Sequence, residues 1–409
     1  MAYADDAAPM TVSPNGDTAC RLPGPPTRLV LGTADGVVLI EADGGTFAWR
    51  VTGRALAGRH IGALTRTGDA MLFAGCHHGG GLHRSADGGR TWIDISSGLP
   101  ARHIFSLASA VQPSGALLLA GVEPVGLFIS ADGGETWQDR PALRQMPGAE
   151  NWTFPPPPHI PHVKSIALDP RGPGRLFACV EQGALLWSDD FGHCWTDVDQ
   201  MWRPDDPIFR DAHRVLVAPW NHQLLLLTTG MGLYRSTDGG TTWRHQPEIS
   251  AAIRYPDGLV ATGPDDRRLF VCGALDNPLT WIYRGVAASA VYCSDDDGAT
   301  WQPAGAGLPE RNPASYEALA IATWPGGYRL FLADTDGRLF SRASSEAGWS
   351  IIADGLPAIS KGEHFKLARF AHRLPAWVRP TLYASTLAIT GVTRRWAGRR
   401  RRRRYQASG

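Results

Sequence analysis

One short pattern, Ser-x-Asp-x-Gly-x-x-Trp, recurs along this 409-residue chain and limits what the chain can fold into. It appears as Ser85 to Trp92, Ser130 to Trp137, Ser188 to Trp195, Ser236 to Trp243 and Ser294 to Trp301. Two worn copies flank these five, Ala42 to Trp49 and Ser341 to Trp349. The tryptophans stand at 49, 92, 137, 195, 243, 301 and 349, with successive differences of 43, 45, 58, 48, 58 and 48. The chemistry of the pattern is that of a turn. Ser and Asp side chains bond backbone N–H groups of a tight turn, and Gly takes angles that a Cβ forbids. The Trp buries a large area. A period in the forties argues for one supersecondary unit per repeat rather than two or three ordinary domains.

Each repeat reads as four short strands. In the second, Ile61 to Thr67 is the expected inner strand, followed by Ala70 to Cys76, Leu82 to Ala86 and Thr91 to Ile95. The same grammar opens Lys164 to Leu168 then Arg175 to Val180, and Ala318 to Ala322 then Arg329 to Ala333. The repeated pattern resembles the Asp box, or BNR repeat, of sialidases and many other β-propeller proteins. The resemblance covers about residues 27 to 370. It implies an all-β fold, a seven-bladed β-propeller of four-stranded blades, with the Asp-box residues structural and on the face away from the ligand site. The first repeat lacks an inner strand, while a spare one, His364 to Phe370, follows the last Trp. The expectation is that this C-terminal strand closes the ring and removes the open sheet edges. Residues 1–26 are then a disordered N-terminal segment, 27–371 the propeller, and 372–409 a poorly defined basic tail. Thr381 to Leu387 looks like another strand, and a partial eighth blade is the alternative.

Composition narrows the function classes. The formal net charge is +1, so the body has no bias toward nucleic acid. Arg394, Arg395 and Arg399 to Arg404 form a basic cluster, read as a solvated tail rather than a nucleic-acid contact. Cys20, Cys76, Cys179, Cys194, Cys272 and Cys293 form no CxxC pair and read as thiols of a reducing compartment. No signal peptide is seen, and no stretch reaches the ~18 apolar residues of a membrane span. The expected location is the cytoplasm.

Aligning the seven inner strands at their first residue gives His60, His103, His162, His213, Tyr255, Tyr316 and His364 in one register. Inner strands line a propeller's central channel, so the alignment predicts a rim of imidazoles and phenols at its mouth. Lys164, Asp257 and Lys366 follow two positions on. Each His or Tyr can equally bond or pack against the next blade. As a site, the rim suits a small polar or anionic ligand, or a transition metal, with His162, His213 and His103 as the candidate ligands. The loops at that face carry His77, His78, Glu123, Glu181, Asp334 and Asp336, an insert from Asp276 to Ser289, and the polyproline run before His159.

The closer resemblance, carried by Pro155 to Ile166, Trp324-Pro-Gly-Gly327 and Ile351 to His364, is to bacterial BNR-repeat proteins described as sialidase-like or glycosyl-hydrolase-like. Sialidases themselves are six-bladed and use an arginine triad. Their early Arg-Ile-Pro signature is missing here, and only Arg214 and Arg254 stand near the required register. Three readings follow: a propeller binding a small polar ligand or a protein at the His-rich face; a hydrolase using a metal, or carboxylates such as Glu123, Glu181 and Asp257; and a scaffold like the photosystem assembly propellers.

Overall fold

The computed structural model describes residues 8–362 except 44–47, 69, 113–114, 155–157, 170–171, 173, 203–209 and 311, and beyond them only residues 364, 366 and 375. Seven sheets, antiparallel but for one added strand in each of two, follow one another along the chain as the blades of a propeller. The second blade shows the pattern, with strands Ile61–Arg66, Leu72–Cys76, Gly81–Ser85 and Ile93–Asp94, each within two residues of the expected bounds. Second strands are apolar at consecutive positions, as in Leu118-Leu119-Ala120, because both faces of a blade are covered. Each pair of neighbouring blades shares a buried cluster. Val30 shares one with Ala74, Phe73 with Leu118, Leu119 with Ala178, Phe177 with Leu225, Leu226 with Val271, and Phe270 with Leu330. Leu31 and Phe331 share the cluster between the first blade and the seventh.

The Asp boxes build the turns their composition predicts. Ser130 Oγ accepts from Gly134 N at 2.9 Å and donates to Asp132 Oδ1 at 2.7 Å, and Thr136 N donates to Asp132 Oδ1 at 2.9 Å. The Thr136 hydroxyl and backbone N–H hold the Asp132 carboxyl at about 2. The same contacts recur around Asp87, Asp190, Asp238 and Asp296. Arginines tie each turn to the blade before it: Arg84 donates to Gly133 O at 3.0 Å, Arg140 to Phe191 O at 2.8 Å and Arg235 to Asp297 O at 2.7 Å. These residues are engaged in structure, at the strand ends away from the inner-strand starts.

The N-terminal segment, expected to be disordered, carries two strands. Met10–Val12 pairs parallel with Arg28–Thr33 as the inner strand of the first blade. Ala19–Arg21 pairs parallel with the inner strand of the seventh, Tyr316–Trp324. The inner position of the first blade is therefore taken from the N-terminus and not by a strand at His364 to Phe370. His364 and Lys366 are helical, and the rest of that stretch, like the strand expected at Thr381 to Leu387, lies outside the described residues. Between the two N-terminal strands the chain turns inside the channel. Asn15 N donates to Gly62 O and Asp17 N to Leu64 O, both at 3.0 Å; Leu107 N donates to Asn15 O at 3.3 Å and Ile321 N to Thr18 O at 2.7 Å. Arg214 of the fifth blade, buried, donates to Pro14 O. Four blades thus grip one hairpin. Gly16 is required at its tip, because a Cβ there would stand 1.9 Å from Leu64 O. All six cysteines are free thiols, and no described helix is long and apolar enough to cross a membrane.

Candidate functional site

The inner strands do not run straight into the mouth. In six blades, strand pairing skips one residue near the start: Gly62, Phe105, Lys164, His213, Asp257 and Glu317. A bulge re-aims the side chain it carries, and four of these six residues are ionisable. Two positions earlier stand His60, His103, His162, Asp211, Tyr255 and Ser315. The expected register therefore holds for His60, His103, His162 and Tyr255 and slips elsewhere. Asp211 takes the place assigned to His213, which moves to the bulge beside Lys164 and Asp257. Tyr316 falls one position beyond the first register and is buried against Phe340 in the cluster between the sixth and seventh blades. His364 reaches the mouth from the segment after the last blade, not from an inner strand.

These residues form a connected network. His162 stacks on Phe105 and lies between two carboxylates, Nε2 at 3.1 Å from Glu181 Oε2 and Nδ1 at 3.3 Å from Glu123 Oε2. Lys164 Nζ meets Glu181 Oε1 at 2.9 Å, and His103 Nδ1 meets Glu123 Oε1 at 2.9 Å. Burial pushes the Glu123 carboxyl up, but the His103 and His162 hydrogen bonds outweigh it and bring the group to about 2. Glu181 is likewise lowered against its burial, chiefly by Lys164 and His162. On the other side, Lys361 pairs with Asp257 and lies 4.7 Å from the Tyr255 ring centre. Burial and then Lys164 push the Lys361 ammonium well down. Glu317 accepts from Ser360 Oγ at 3.0 Å and Lys361 N at 2.9 Å, and faces His364 Nδ1 at 2.9 Å. Residues 358–361 cross this face: Ala34 N donates to Ala358 O at 2.7 Å, and His60 Nε2 meets Ser360 O at 2.8 Å. Exposure falls inward. His78 is exposed, the His364, His103 and Glu123 side chains retain 21%, 19% and 16%, and His162, Lys164 and His213 are buried.

The expected metal set of His162, His213 and His103 is not brought together as one. Both nitrogens of His162 face carboxylates, which makes it a bridge between Glu181 and Glu123. Among the described residues, donor atoms lie within 4.8 Å of one another in two other groups, His60 with His77 and His78, and Glu181 with Asp211 and His213. His213 Nδ1 meets Pro256 O at 2.8 Å, and its Nε2 stands 3.3 Å from Asp211 Oδ2. Burial and then Lys164 lower its pKa to about 4. His77 Nε2, His103 Nε2, His213 Nε2 and Asp211 Oδ1 are buried without a hydrogen-bond partner. Asp211, Glu317 and Lys361 were not identified from the sequence. For Asp211 the signal was present, since Asp211-x-His213 repeats the spacing of His162-x-Lys164. Of the other residues expected at this face, Arg214 is held by the N-terminal hairpin, Lys366 is exposed and Asp334 pairs with Arg338. The middle of the polyproline run lies outside the described residues.

A family model of the BNR/Asp-box repeat matches residues 128–139, the third strand and Asp-box turn of the third blade. Among curated proteins, the chain is 27% identical over 230 residues to a xyloglucanase of Paenibacillus sp, a match covering 50% of this chain and 22% of that protein. It is 29% identical over 199 residues to the xyloglucanase Xgh74A of Acetivibrio thermocellus, covering 39% and 22%. The chain thus spans less than a quarter of these relatives. Among solved structures it resembles an ancestral GH74 enzyme, with a TM-score of 0.52 at 16% identity over 69% of this chain and 37% of that one. It also resembles YCF48 bound to D1 peptide, with a TM-score of 0.50 at 15% identity over 85% and 96%.

Proposed function

We propose that this BNR-repeat propeller, whose curated relatives are glycosyl hydrolases, binds a small polar ligand at the His- and carboxylate-lined mouth and does not cleave glycosidic bonds there. The observation that carries this reading is the set of buried donor and acceptor atoms without hydrogen-bond partners around the mouth: His77 Nε2 and His103 Nε2 on its accessible side, and His213 Nε2 and Asp211 Oδ1 deeper in. Buried polar atoms are rarely left unsatisfied, and a ligand supplies what the protein does not. The hydrolase alternative needs one carboxylic acid kept protonated near neutral pH beside a second carboxylate. Glu123 and Glu181 are both lowered instead, sharing one imidazole between them.

Calorimetric titration with xyloglucan oligosaccharides, phosphate and citrate tests the reading, alongside a reducing-sugar assay on xyloglucan. The expected result is binding of one probe, weakened at least tenfold in His103→Ala, with no release of reducing ends. Hydrolysis abolished by Glu123→Gln or Glu181→Gln would put the hydrolase reading in its place. A second reading, recognition of a peptide, is supported by the likeness in fold to nearly the whole of the peptide-bound YCF48. It takes precedence if no small probe binds and a peptide does.

A further inference from the structure

On the accessible side of the mouth four imidazoles pack against one another. The His77 ring centre lies 4.7 Å from His60, 6.0 Å from His78 and 5.1 Å from His103. His78 lies 5.7 Å from His60 and 5.5 Å from His103. We propose that His60, His77 and His78 bind a transition-metal ion of the zinc class, with His103 beside its fourth coordination position. The proposal deepens the ligand-binding reading of the same mouth by naming an ion as the occupant of this corner.

The hydrogen bonds at the edge of the group hold two of its rings as the outer hydrogen bond of a metal-bound histidine does. His60 Nε2 donates to Ser360 O at 2.8 Å. His103 Nδ1 is held by Glu123 at 2.9 Å, and its Nε2 is buried without a partner. The His77 side chain is buried and its Nε2 has no hydrogen-bond partner, a rare state for a buried polar atom. Its ring fits only because Gly62 has no side chain, since a Cβ there would stand 2.0 Å from His77 Nε2. His78 is in the left-handed region at φ 54°, an uncommon place for a side-chain-bearing residue, in a turn that continues Gly79-Gly80-Gly81.

Donor type selects the ion. Three imidazoles suit zinc, copper, nickel or cobalt and not magnesium or calcium. Three protein ligands with one position left over is the arrangement of a zinc site open to a further ligand. The donor atoms lie within 4.8 Å of one another, whereas bonds of about 2.0–2.1 Å in a tetrahedron place donors roughly 3.4 Å apart. Loading therefore draws the group together, with His78 coming from an exposed position on its glycine-rich turn. The rival group, Glu181 with Asp211 and His213, lies deeper and already has Lys164 on its carboxylate.

The test is cobalt(II) titration of the untagged full-length protein after chelator treatment, followed by the visible absorption of tetrahedral cobalt and by competition with zinc. The expected result is one equivalent, displaced by zinc, with affinity reduced at least 100-fold in His78→Ala and in His60→Ala. Asp211→Asn is expected to bind as the parent does. His78→Ala changes an exposed side chain, so its circular dichroism and thermal transition should match the parent and separate loss of the site from loss of the fold. Absence of a cobalt band in the parent overturns the proposal, as does unchanged affinity in His78→Ala or loss confined to Asp211→Asn. Repeating the xyloglucan, phosphate and citrate titrations on chelator-treated protein separates the two readings: an organic or anionic ligand that binds where cobalt does not leaves the ligand-binding reading standing and removes the ion.

Discussion

His162 is a buried imidazole between two carboxylates, and its neighbours show what such a residue is for. Removing its ring leaves Glu123 Oε2 and Glu181 Oε2 without it, while His103 and Lys164 keep the other carboxylate oxygens. A buried acceptor left unsatisfied costs about 1–3 kcal/mol, so His162→Ala should lose about that much stability in urea denaturation. A loss below 1 kcal/mol would mean that water enters and solvates both acids. Single residues of this kind were legible in the sequence by type, and their pairings were not. His162, Lys164, Glu123 and Glu181 were all expected at the mouth. The bridge they form depends on how a loop carboxylate from one blade reaches the inner strand of the next, and no spacing within a repeat encodes that distance.

The bulge is the element that decided what could be read. Strand order, turn chemistry and the tryptophan period follow from local sequence, so the blades were placed within a residue or two. The ring of mouth residues was then slipped at two blades. An alignment by residue type matched His213 to His162, whereas the extra residue in each inner strand matches it to Lys164. The N-terminal hairpin was missed for a different reason: its strands are three residues each, too short for a period of two to show. That hairpin carries a pH signature. Burial pushes the Asp17 carboxyl up to about 6, against hydrogen bonds from Thr65, Arg66 and Ser109. The folded state then holds a proton that the unfolded chain releases near pH 4. The stabilisation is present below that value and is lost as pH rises through about 6. Asp17→Asn should raise the melting temperature at pH 8 and change it less at pH 4. Equal shifts at both values would show that Asp17 is ionised in the fold throughout.

For the whole molecule, the seven shared clusters predict how it comes apart. Repeat arrays gain stability from each unit and from each contact between neighbours. Phe331 contributes to the cluster joining the seventh blade to the first and is fully buried. Phe331→Ala should cost about 3–5 kcal/mol and still unfold in one transition, with tryptophan fluorescence and circular dichroism coincident. Separate transitions by the two probes would mean that the blades melt independently. The hairpin in the channel adds a consequence in time. Ala19–Arg21 finds its partner strand about three hundred residues further along, at Tyr316–Trp324. On the ribosome, this segment must wait for the seventh blade to be made before its backbone is satisfied. Synthesis and completion therefore run in opposite order, and the nascent chain carries an unpaired edge while the blades between are made.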